Sequence, residues 1–110
     1  MNPPQHMVAL ANANAIRFKR ADLRRGLSSR ETDIPSVLSE EAPDWLRSAK
    51  VGDILRMAHR VGPSKARKIC YMAGVPYPRT MGELTKRQRD SLIRSYHQVC
   101  RYIADVKAAA

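Results

Sequence analysis

A chain of 110 residues has room for one compact domain, and a second full domain is excluded unless one half is an extended tail. Lys and Arg number 20 against 10 Asp and Glu, a net charge of +10 that makes a polyanion the first partner to consider. A hydrophobic share of 44% argues against wholesale disorder. No apolar run approaches the ~20 residues of a membrane span, and Met1-Asn2-Pro3-Pro4-Gln5 lacks the charged end and apolar core of a secretion signal.

The fold reads as all-α, because no segment alternates β-branched and aromatic residues at period 2. The alanines from Ala9 to Ala21 predict a first helix over Val8–Leu27, stopped by Gly26 or by Ser28-Ser29. Ile16, Leu23 and Leu27 give it a thin apolar stripe, flanked by Arg17, Lys19, Arg20, Arg24 and Arg25. A short helix follows near Pro35, with Val37 and Leu38 facing inward. Glu40 to Asp44 is an acidic break, after which Trp45 is expected to be largely buried.

The body begins at Lys50. Val51, Ile54, Leu55 and Ala58 mark one face of a helix, as do Ala66, Ile69, Cys70 and Ala73 after the turn His59–Ser64. Pro63 suits the start of that second helix, Gly74 its end, and Pro76 and Pro78 prevent continuation. A loop from Val75 to Leu84 leads to Thr85-Lys86-Arg87-Gln88, a capping-box pattern. The last helix is predicted over Lys86–Lys107, with Leu92, Tyr96, Val99, Ile103 and Val106 inward and Arg87, Arg94 and Arg101 outward. The organisation is thus a basic arm (1–33), a short helix and acidic linker (34–49), and a body (50–110) with an extended C-terminal helix.

Charge follows the same divisions. Residues 1–30 carry +5, residues 31–53 carry −4 and residues 54–110 carry +9. Like charges crowded in this way repel, and a counter-charged partner relieves the repulsion. Cys70 and Cys100 lie in apolar helical patterns and read as buried thiols of a reducing, cytoplasmic protein. His6, His59 and His97 are scattered without metal-ligand spacing, so neither metal nor cofactor is expected.

The informative stretch is Val61-Gly62-Pro63-Ser64-Lys65-Ala66-Arg67-Lys68. Glycine has no Cβ to block a close approach. A helix start offers unpaired N–H groups and a partial positive charge, which together bind phosphate. Pro63 removes one donor and leaves Gly62, Ser64 and Lys65 to supply the rest. Arg60, Lys65, Arg67 and Lys68 surround this turn. A second turn brings Arg79 and Gly82, and Lys86 and Arg87 open the last helix. Between Arg56 and Arg94 there are ten basic residues against Glu83 and Asp90, too large an excess for a merely solvated surface.

At these residues the chain resembles the actinobacterial integration host factors, from about Ala13 to Tyr96. The resemblance rests on the order of Arg17 to Leu27, Val37-Leu38, Glu40 to Asp44, Lys50-Val51, Val61-Gly62, Lys65 to Gly74 and Arg87-Gln88-Arg89. It implies a small helical domain with a helix–two-turns–helix core preceded by a long basic helix. It also implies a nucleoid-associated protein that binds duplex DNA with little sequence preference, bends or compacts it, and assists site-specific recombination by an integrase. Of the family's Arg-Arg-x-Arg-Gly run only Arg79 and Gly82 match, with Pro78 and Met81 in place of arginines, and the last helix continues past Tyr96. Such departures fit a divergent member, of the kind a bacteriophage carries.

The expected mechanism is non-catalytic: lysine and arginine neutralise phosphates of double-stranded DNA and release counterions. Gly62, Ser64, Lys65 and their neighbours form one contact. The first helix, with Arg17, Arg20 and Arg24, supplies a second, and two contacts on one duplex can bend it. The expected assembly is a monomer or weak dimer. One rival is an RNA- or ribosome-binding protein with the same turn module, although few aromatic side chains remain for stacking on unpaired bases. A glycosylase needs an activated amine with a partner carboxylate and a second domain to hold a flipped base, and the sequence offers neither. A membrane-surface role for the arm is opposed by its thin apolar stripe.

Overall fold

The computed structural model describes the backbone of residues 5–109 and the side chains of residues 10–100. Among the described residues five α-helices follow in order: α1 (Gln5–Ser29), α2 (Ile34–Leu38), α3 (Val51–Met57), α4 (Pro63–Ala73) and α5 (Lys86–Ala109), with one 3₁₀ turn at Met81–Glu83. Among the described residues there is no strand, only an isolated antiparallel bridge between Lys50 and Thr80. The fold is all-α, as the absence of period-2 patterns predicted.

Each helix forms for a local reason. Asp33 caps α2, its carboxylate accepting from the Ser36 N–H at 2.8 Å, and Pro35 sits in the first turn, where no N–H is needed. α4 stops at Gly74, which takes φ +69 and returns its N–H to the carbonyls of Cys70 and Tyr71. At the start of α5 the capping box is reciprocal: the Gln88 side chain accepts from the Thr85 N–H at 3.0 Å, and Thr85 Oγ1 from the Gln88 N–H at 3.2 Å.

α4 packs against α5 and α3, α2 against α5, and α1 against α3. Leu27, Ile34, Leu38, Ile54, Leu55, Ile69 and Leu92 are almost wholly withdrawn from water and belong to one continuous apolar cluster. Ala66 is fully buried, and its small side chain allows close helix packing across the turn.

Of the two stops offered for α1, Ser28-Ser29 holds and Gly26 does not, and the burial expected of Trp45 needs correction. α1 runs through Gly26 to Ser29. Gly26 does not stop the helix: a Cβ there would lie 2.8 Å from Thr32 Oγ1, where the chain folds back and the Thr32 N–H bonds the Gly26 carbonyl. The residue that ends the helix in the left-handed region is Arg30, with φ +69. Trp45 is half-buried, because the acidic linker lies along the surface of the cluster. Arg89 is buried, only 9% exposed, and so does not join the basic surface. The side chains of Ile103, Val106 and Arg101 lie outside the described residues.

Candidate nucleic-acid interface

The turn between α3 and α4 is built by backbone hydrogen bonds. The Ala58 N–H bonds Leu55 O at 3.2 Å and the Val61 N–H bonds Ala58 O at 3.1 Å, while Arg60 takes φ +62 to turn the chain. Gly62 then caps α4 in an extended conformation, φ −88 and ψ −178, which any residue can adopt. Its glycine is therefore not a backbone requirement. A Cβ at Gly62 would meet nothing within 4 Å, so the position faces open space on the free molecule.

The first helical hydrogen bond of α4 runs from the Ala66 N–H to Gly62 O at 3.0 Å, and no side chain caps the end. The N–H groups of Ser64 and Lys65 therefore have no partner within the helix, and the positive end of the helix dipole lies beside them. Lys65 Nζ reaches back to Arg60 O at 3.0 Å, which holds its ammonium over the turn with two of its three protons unused. An anion placed here meets peptide N–H groups and a fixed cation together.

Arg67 lies two residues further along α4. Its guanidinium carbon is 5.3 Å from the centre of the Tyr77 ring, a cation–π contact that directs it toward the second turn. The ring itself rests on Gly52 of α3, where a Cβ would come within 2.5 Å of the ring carbon Cζ. The chain Gly52–Tyr77–Arg67 was not visible in the sequence, since Tyr77 is separated from both partners by a loop and stands between two prolines.

The second turn is fastened to the segment before α3. The Val51 N–H bonds Arg79 O at 2.8 Å, the Met81 N–H bonds Ala49 O at 2.8 Å and the Gly82 N–H bonds Arg47 O at 2.9 Å. Gly82 thus has its N–H already committed, and its missing Cβ makes room for Arg47, whose Cβ would lie 2.9 Å away. Arg79 is half-buried; Lys86 and Arg87 are exposed at the start of α5.

On α1, Arg17 and Arg24 are exposed and seven residues apart, so they share one flank. Arg24 borders a cavity of about 310 Å³ with Asp53, Arg56 and Met57, which adds Arg56 to the basic residues near the arm. Arg20 is employed differently: its Nε donates to Trp45 O at 3.0 Å and its Nη2 to Ser48 Oγ at 2.7 Å, tying α1 to the linker. An ion pair joins Arg25 to Asp22 on α1. Arg60, Lys65, Arg67, Lys86 and Arg87 make no ion pair among the described residues.

No protein-family model matches the chain. It is similar to the curated "Integration host factor" of Mycolicibacterium smegmatis, 32% identical over 95 residues that span 86% of this chain and 90% of that protein. It is similar also to the "Integration host factor" of Mycobacterium tuberculosis, 31% identical over 84% of this chain and 89% of that one. The chain belongs to the integration host factor family. A solved structure, described as sIHF bound to an 8-bp palindromic DNA, superposes with a TM-score of 0.68 at 26% identity, over 76% of this chain and 96% of that one. The Val61-Gly62 turn, the basic α4 and the capping box at α5 lie where the sequence pattern placed them. Among the described residues, no helix is long and apolar enough to cross a membrane, and no cluster of His, Cys, Asp and Glu could hold a metal.

Proposed function

We propose that this protein grips the sugar–phosphate backbone of double-stranded DNA at the α3–α4 turn, and that α1 provides a second contact through Arg17 and Arg24. It is in this reading a non-catalytic architectural factor of the cytoplasm and nucleoid that bends or compacts DNA and assists a site-specific recombinase. It acts as a monomer or weak dimer, with residues 50–110 as the gripping body and residues 1–33 as the arm. One observation carries the proposal: the start of α4 is uncapped, opens onto free space at Gly62, and has Lys65 tied across it. The DNA-bound state of the structural relative supports the choice of partner.

Lys65, Arg67, Lys68, Arg60, Lys86 and Arg87, with Arg17 and Arg24, supply the cations, of which about five engage phosphates at once, and this positions the protein without reading bases. Any sequence preference comes from DNA shape, such as narrow A·T-rich minor grooves that attract arginine. Gly82 serves by letting the second turn close on Arg47, and Arg20 by holding α1.

The test is a titration of a labelled duplex at increasing salt. Neutralising about five phosphates gives a slope of log affinity against log salt of roughly −4 to −5. A slope near zero removes the electrostatic account. Structured RNA competing better than duplex DNA at equal salt would turn the reading toward an RNA-binding protein.

A further inference from the structure

A cavity of about 400 Å³ lies between the end of α1, α2, the α3–α4 turn and α5, and it shares Arg60 with the basic surface around the start of α4. That volume falls within the range of small-molecule pockets. Its floor is apolar: Leu27, Ile34, Ala58 and Val61, all members of the core cluster. Tyr96 and Cys100 of α5 form one wall. Burial, with Cys100 beside it, pushes the Tyr96 hydroxyl up to about 12.

The rim carries Arg30, His59 and Arg60 against a single carboxylate, Asp33, which already caps α2. Arg30 and Arg60 make no side-chain hydrogen bond or ion pair among the described residues. They are also the two non-glycine residues in the left-handed region, φ +69 and +62, among the described residues. Glycine or asparagine occupies that region more easily, because a Cβ crowds the backbone there. A fold that places an arginine at both strained positions, and both at the edge of one apolar cavity, accepts an unfavourable backbone where those side chains are displayed. Strain of this kind is a feature of ligand clamps.

We propose that this cavity binds a small amphipathic organic anion, with its apolar body on Leu27, Ile34, Ala58 and Val61 and its carboxylate or phosphate head between Arg30 and Arg60. The apolar floor supplies affinity through burial, and the two guanidinium groups select a charged head over a neutral one.

The test is a backbone-amide NMR titration of the full chain with octanoate, octyl phosphate and octanamide. Either anion should give saturable shifts at Leu27, Ile34, Ala58 and Val61, about tenfold tighter than octanamide; the tighter of the two identifies the head group. Arg30→Asn keeps a residue suited to φ +69, so it should melt no lower than wild type and yet weaken the anion by at least about fivefold. Cys100→Phe, or the milder Cys100→Leu, should fill the cavity and abolish the shifts. Octanamide binding as tightly as the anions, shifts confined to Ser64 and Lys65, or no saturation would each overturn the proposal. None of these readouts involves DNA, so their failure leaves the backbone-gripping turn untouched.

Discussion

Gly62→Ala adds a Cβ where the free protein has nothing within 4 Å, on a backbone that alanine adopts without strain. Two opposing terms then act on stability. Alanine restricts the unfolded chain and stabilises by about 0.4–1 kcal/mol, while it is a poorer N-cap than glycine by roughly the same amount. The melting temperature should therefore stay within about 5 °C of wild type, since 1 kcal/mol corresponds to ~4–8 °C in a domain of this size. Binding is another matter, because the new methyl stands where a phosphate approaches the N–H groups of Ser64 and Lys65. Loss of one charge-assisted hydrogen bond costs about 1.5–3 kcal/mol, or roughly 10- to 150-fold in Kd. No charge has changed, so the salt slope should remain at roughly −4 to −5. Fluorescence anisotropy with a labelled duplex between about 50 and 200 mM salt reads both quantities, and a thermal melt reads the third. A Gly62→Ala protein that melts like wild type and binds DNA equally well would refute the reasoning.

The other expected outcomes are as specific. Lys65→Glu with Arg67→Glu should weaken binding to all duplex sequences alike and flatten the salt slope by about 0.9 for each lost phosphate contact; selective loss on one sequence, read by anisotropy on several duplexes, would indicate base readout. Gly52→Ala forces the Tyr77 ring to move from 2.5 Å, at a cost of about 1–3 kcal/mol seen in thermal melts. Arg20→Ala loses its bonds to Trp45 O and Ser48 Oγ, so the protein should lose about 1–2 kcal/mol and exchange α1 amides faster, with no change in salt slope; a slope shallower by about 0.9 would place Arg20 on a phosphate. Burial pushes the Cys70 thiol from 9.0 up to about 11. The folded state keeps this proton more tightly than the unfolded state, so stability is unaffected below about pH 9 and is lost as pH rises toward about 11. Over that window the stability of wild type should fall more steeply with pH than that of Cys70→Ala, which narrows the gap between them.

The local grammar of this chain was legible before folding. Pro35 at α2, Pro63 and Gly74 at the two ends of α4, and the Thr85–Gln88 box at α5 each act on neighbours within a turn, so their meaning is carried by spacing alone. The same holds for the apolar face Val51, Ile54, Leu55, Ala58, which became core. Where the reading failed, the deciding partner was distant in sequence. Gly26 and Ser28-Ser29 offered two stops for α1, and Thr32 folding onto Gly26 made that glycine an interior position and left the stop to Ser29. Arg20 and Arg24 stand four residues apart on one basic helix, yet one is tied to the linker and the other is exposed.

The sequence by itself determined the helical fold, the blocked charge and the turn at Gly62, because helix periods, caps and net charge are local or additive quantities. Tertiary structure alone decided which cations stay on the surface, that Gly82 spends its N–H on Arg47, that Tyr77 lies between Gly52 and Arg67, and that Arg30 and Arg60 border one cavity. These depend on side chains brought together by burial of a shared core, and no spacing along the chain encodes such a meeting.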